Sequence, residues 1–129
     1  MDAVVSYVGR AVDQMTGIVT ALDDDLANRK PALPGANSPY AILRHCLGVM
    51  EFWGGEVVAR REVIRDRPAE FRAHGPVADL AAAERKKDLF ELEFTSQGHA
   101  LLHVLEEVTQ HLGQMELTRD VLRAAAAPG

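Results

Sequence analysis

Two histidines and one glutamate carry the clearest chemical signal in this 129-residue chain. Glu107 and His111 lie four residues apart in a stretch whose apolar residues recur at helical spacing, so on a helix they share one face, about 6 Å apart along the axis. With Val108 at the centre of the apolar arc, His111 falls about 60° and Glu107 about 100° to the same side, where that helix borders an interior. His45 stands in the same relation to a second apolar arc, made by Ile42, Cys46, Val49, Trp53 and Val57. One imidazole from an early helix, with a carboxylate and an imidazole from a late one, is a donor set for a divalent ion. Three protein ligands leave a position for water or substrate, as in catalytic rather than structural zinc sites. Such an ion lowers the pKa of a bound water or thiol, or polarises a carbonyl oxygen. The same residues admit a plainer reading, as boundary histidines hydrogen-bonded to neighbours beside a partly solvated glutamate.

His103 lies one turn before Glu107 but about 12 Å from His111 along the axis, so it reads as a flank histidine outside the ligand set. Gln114, just after His111 and Gly113, is a candidate to orient substrate or to stand behind the metal ligands, where bound imidazoles donate their other N–H, with an exposed helix glutamine as the alternative. Cys46 points onto the apolar arc, where a thiol behaves as a small hydrophobe rather than a nucleophile. Phe52 and Trp53 read as core, or as a pocket wall two turns beyond His45. Arg60, Arg61, Arg65, Arg67 and Arg72 interleave with Glu62, Asp66 and Glu70 and read as a solvated, salt-bridged stretch. Arg65 or Arg67 would meet a substrate carboxylate only if that stretch covers the site.

Four helices are needed to position these side chains. Val4, Val5, Val8, Val12, Met15, Val19, Leu22 and Leu26 form a stripe predicting a helix over 3–28. Pro31, Pro34 and Gly35 break it. Ser38 and Pro39 are an N-cap and first-turn pair that start a second helix, predicted to run to about residue 61. Pro68, Gly75 and Pro76 predict a loop over 65–76, and a weaker helix follows over 77–93. Thr95 and Ser96 offer the next cap, and Leu101, Val104, Leu105, Val108, Leu112, Met115 and Leu122 predict a long final helix ending near residue 127. No segment alternates with period two. The expectation is an all-α, single-domain four-helix bundle over 1–129, with its site built between facing helices.

Composition narrows the partners. Fourteen lysines and arginines against 19 acidic residues give a formal charge of −5, which lacks the basic excess that drives phosphate-backbone binding, so no nucleic acid partner is expected. The longest apolar runs fall far short of the roughly 20 residues that span a bilayer, and Asp2 stands where a signal peptide wants positive charge. A cytoplasmic protein with no membrane partner and a small-molecule substrate is expected. The single cysteine rules out an internal disulfide framework. The apolar stripe of the first helix, with little to shield it in so short a chain, motivates a homodimer, and with it the alternative of a non-catalytic bundle acting through a partner.

Two stretches, SPYAILRHCLGVMEFW over 38–53 and HALLHVLEEVTQHLGQMELTRDVL over 99–122, resemble the DinB-like superfamily. The likeness is to its branch of mycothiol-dependent maleylpyruvate isomerases and thiol S-transferases, a family of metal-binding four-helix bundles. The resemblance implies a divalent metal, zinc or nickel foremost, on His45, Glu107 and His111. It also implies a glycine-glutamine pair at Gly113 and Gln114, and a low-molecular-weight thiol cosubstrate such as mycothiol or bacillithiol. Larger relatives carry extra segments between the third and fourth helices and sometimes a carboxy-terminal domain, neither of which is expected here, so the isomerase reaction does not simply carry over.

Overall fold

The structure, a computed structural model, describes residues 2–53, 62–83 and 98–127. Among them there are six helices and no strand: α1 (Asp2–Ala21), α2 (Asp24–Ala27), α3 (Pro39–Glu51), α4 (Arg67–Arg72), α5 (Val77–Ala83) and α6 (Gly98–Ala126). No helix among the described residues is long and apolar enough to cross a membrane.

α3 is the central element. Its sequence is apolar nearly all round, and every residue from Pro39 to Met50 except Arg44 is buried. A helix of that composition must be covered on several sides, and α3 packs against α1, α4, α5 and α6. It starts where expected, with the Ser38 hydroxyl accepting from Ala41 N–H at 3.1 Å. After Glu51 the helix widens into a π turn at Phe52 and Trp53, where Phe52 N–H is shared by the Gly48 and Val49 carbonyls. The expected continuation to residue 61, with Arg60 and Arg61, lies outside the described residues.

The first helix ends earlier than its stripe predicts. The apolar register of Leu22 and Leu26 persists, but Asp23 is extended and its carboxylate accepts from Leu26 N–H at 2.7 Å, capping a new helix. Three consecutive aspartates favour a helix start over a helix interior, because their short side chains compete for backbone N–H groups. The resulting α2 has a structural task. The Asn28 side chain donates to Gly75 O and accepts from Gly75 N–H, both at 2.8 Å, while Asp24 accepts from Val77 N–H at 3.0 Å. The turn between α4 and α5 is tied down through these bonds.

The stretch over 65–76, predicted as a loop, contains α4. Asp66 caps it, accepting from Ala69 N–H at 3.0 Å, and Pro68 sits in the first turn, where its missing N–H costs nothing. Of the helix expected over 77–93, α5 accounts for residues 77–83, and the rest lies outside the described residues with the Thr95 and Ser96 cap.

α6 presents Leu101, Val104, Val108, Met115, Thr118 and Leu122 to the interior, and α1 presents Val8, Val12, Met15, Val19 and Leu22. The two helices pack together, and α1 also meets α3. Of the stripe that motivates a homodimer, Val8, Val12, Met15, Val19 and Leu22 are buried within the chain and Val4, Val5 and Leu26 are half-buried.

Candidate metal centre

The helical stripe of α6 steps from Val104 to Val108, His111, Met115, Thr118 and Leu122, alternating four and three residues. His111 occupies a position of that stripe that packing would give to an apolar side chain, and Glu107 lies beside it. α3 crosses this face and brings His45, which is 0% exposed. The three residues expected from sequence to share an ion do meet. One nitrogen or oxygen from each of His45, Glu107 and His111 lies within 4.8 Å of the other two, so the group could hold a metal ion.

The individual distances fit a shared ion better than hydrogen bonds. Glu107 Oε2 is 3.7 Å from His45 Nε2 and 3.5 Å from His111 Nε2. Two ligand atoms each about 2.1 Å from one ion at the tetrahedral angle would lie about 3.4 Å apart, whereas a hydrogen bond would close to about 2.9 Å. His45 Nε2 is a buried polar atom without a hydrogen-bond partner. Burial of such a nitrogen is unfavourable unless something fills its lone pair.

The other ring nitrogen of each histidine is taken. His45 Nδ1 donates to Glu70 Oε1 at 3.0 Å, and His111 Nδ1 donates to the Gln114 amide oxygen at 2.8 Å. Carboxylate and amide oxygens only accept, so both protons sit on Nδ1 and both Nε2 lone pairs face Glu107. Metal-bound imidazoles are held in this way. Burial holds the His45 pKa below the usual histidine range, and the neighbouring His111 adds to this, while the hydrogen bond to Glu70 opposes it.

Glu70 was not anticipated. Its interleaving with arginines predicts a solvated charge, yet it is buried, and Arg65 grips it, donating from Nε to Oε2 and from Nη2 to Oε1, both at 3.0 Å. Arg65 is thus turned inward onto Glu70, and its guanidinium lies 5.6 Å from the Phe52 ring. Arg67 and Arg72 are exposed. Two signals in the sequence could have located Glu70. One is Asp66 ahead of Pro68, a helix start that would place Glu70 on a packed turn. The other is Gly48, a glycine inside an apolar helix, which marks a close approach. A Cβ at residue 48 would overlap Glu70 Oε2 and lie 2.6 Å from its Cδ.

Aromatic rings close part of the surroundings. Phe71 stacks on His45 with centroids 4.3 Å apart, and His45 meets His111 edge-on at 4.7 Å. Trp53 lies 4.6 Å from His103, whose Nε2 is 3.8 Å from Glu107 Oε1. His103 therefore faces the outer oxygen of Glu107 while the two other imidazoles face the inner one. The Glu107 side chain is 27% exposed and marks the open side. Cys46, next to His45 in sequence, is buried in the core, and burial, with Glu107 and Glu70 adding to it, pushes its thiol far above the usual range. A thiol held neutral in this way is not a nucleophile. Comparison of the chain with known protein families, with curated proteins and with solved structures finds no match.

Proposed function

We propose that this chain is a divalent-metal-dependent enzyme of the DinB-like thiol-transferase or isomerase type. In this reading His45, Glu107 and His111 hold zinc or nickel, and a low-molecular-weight thiol of the mycothiol or bacillithiol kind meets a small electrophile at the open side. The observation that carries it is the bare, buried Nε2 of His45, aimed at the same carboxylate oxygen as His111 Nε2. Bound there, a divalent ion would supply Lewis acidity, favouring the thiolate or hydroxide form of a sulfur or water beside it.

The chain's own residues account for the rest. Glu70 and Gln114 hold the two imidazoles in the tautomer that offers Nε2. Phe71 covers one face of His45 and keeps water from it. Charge favours an anionic partner: the Glu70 carboxylate is offset by Arg65, which leaves Glu107 alone to offset a dication. One net positive charge in a partly dry site attracts a single anion such as a thiolate. The internal thiol is unsuited to the task, so the sulfur comes from outside.

The test is metal analysis of tag-free protein, followed by thiol consumption with a generic electrophile. About one equivalent of metal is expected, lost in His111→Ala with helical content unchanged, and thiol consumption is expected to vanish in His45→Ala. Less than about a tenth of an equivalent, with no uptake of added zinc or nickel, overturns the proposal. Stoichiometric metal without thiol consumption reduces it to a metal-binding helical protein.

A further inference from the structure

His45 is held by an arrangement that has no counterpart at His111. Its Nδ1 donates to a buried carboxylate, and that carboxylate is itself fixed at both oxygens by Arg65 and admitted by the missing side chain of Gly48. The partner of His111 is a neutral amide three residues along the same helix. Three elements must agree for the first arrangement to exist: α3 supplies His45 and Gly48 on one face, α4 supplies Glu70, and the segment before α4 supplies Arg65.

Building it into a core is expensive. A buried carboxylate is stable only when its oxygens are hydrogen-bonded, and here Oε1 accepts from the His45 imidazole and from Arg65 Nη2 while Oε2 accepts from Arg65 Nε. Packed hydrophobic side chains in place of both Arg65 and Glu70 would often serve stability as well as the buried ion pair does. The charge therefore points to a task at His45.

We propose that Glu70, clamped by Arg65 and seated over Gly48, is a positioning residue that fixes the His45 proton on Nδ1 and so presents Nε2 to a divalent cation. This rests on the metal-binding reading of His45, Glu107 and His111. Without the acceptor, a neutral imidazole distributes its proton between the two nitrogens, and the form with Nε2–H cannot bind metal. An ionised acceptor also makes the imidazole a better donor to the cation.

The experiment has two arms on the full chain. In the first, long-range proton–nitrogen NMR of the metal-free protein at mildly alkaline pH reads the His45 tautomer. Wild type is expected in the Nδ1–H form. Glu70→Ala is expected to give mixed tautomers, and Glu70→Gln, whose amide oxygen still accepts, to restore the Nδ1–H form in part. In the second, cobalt(II) titration followed by visible absorption is expected to show about 10- to 100-fold weaker binding in Glu70→Ala, with Glu70→Gln in between. Gly48→Ala keeps Glu70 but displaces it from its seat, and is expected to move both readouts in the same direction, which covers the case where Glu70→Ala fails to fold. A Nδ1–H tautomer that persists in folded Glu70→Ala, or cobalt affinity within about twofold of wild type, overturns the inference. Failure of wild type to bind cobalt overturns the metal reading instead, while the tautomer arm still decides whether Glu70 holds the ring.

Discussion

A single buried imidazole shows how environment sets the chemistry of a residue. His45 has its charged form disfavoured by burial, so it enters the site neutral, with one nitrogen committed and the other bare. This has a consequence for stability. The folded-state pKa is depressed, so below about pH 6.5 the unfolded chain takes up a proton that the folded chain resists, and stability falls with pH. Above that range the group contributes no slope. Urea midpoints of metal-free protein are expected to drop between about pH 7.5 and 5.5, and to drop less in His45→Asn, whose amide still donates to Glu70. Equal slopes in the two proteins would show that His45 titrates freely in the folded state.

Among the elements, α4 has the largest effect for its size. It is six residues long, too short to be stable alone, yet it delivers Glu70 and Phe71 to His45. Its start depends on the Asp66 cap, and its neighbourhood depends on Asn28 and Asp24 of the α2 region holding the following turn. Asp66→Ala is expected to lower stability by about 1 kcal/mol, the usual value of a lost N-cap. It should also weaken metal binding more than other exposed substitutions of equal stability cost, because α4 carries the partner of His45. Chemical denaturation paired with cobalt titration checks this. Loss of stability with unchanged affinity would separate α4 from the site.

For the molecule as a whole, stability rests on α1 lying along α6 with α3 beneath both. Met15 is fully buried in that packing, whereas the Leu117 residue on the outer face of α6 is 69% exposed. Met15→Ala is expected to cost about 2–5 kcal/mol through lost burial and a cavity, and Leu117→Ala to stay within about 0.5 kcal/mol. Denaturation midpoints of the two variants distinguish a core organised in this way from one centred elsewhere.

Much of this was legible along the chain. The all-helical character, the stripes of α1 and α6, the Ser38 start of α3 and the shared face of Glu107 and His111 follow from helical periodicity, because spacing of three and four residues dictates which side chains share a face; that His45 meets them is an expectation resting on the resemblance, and the fold brings the three together. Helix ends were read less well: three aspartates broke the first helix, and Asp66 started another inside a stretch that prolines and charges made look like loop. What only the tertiary structure decided was the company each polar group keeps. Glu70 and Arg65 resemble surface charges in sequence, since periodicity assigns a residue to a face but cannot say which distant segment folds over it. The burial of Glu70 on His45, with Arg65 drawn in behind it, depends on contacts between segments 25 residues apart, and the energies that fix such contacts, desolvation and hydrogen-bond satisfaction, exist only once the chain has folded.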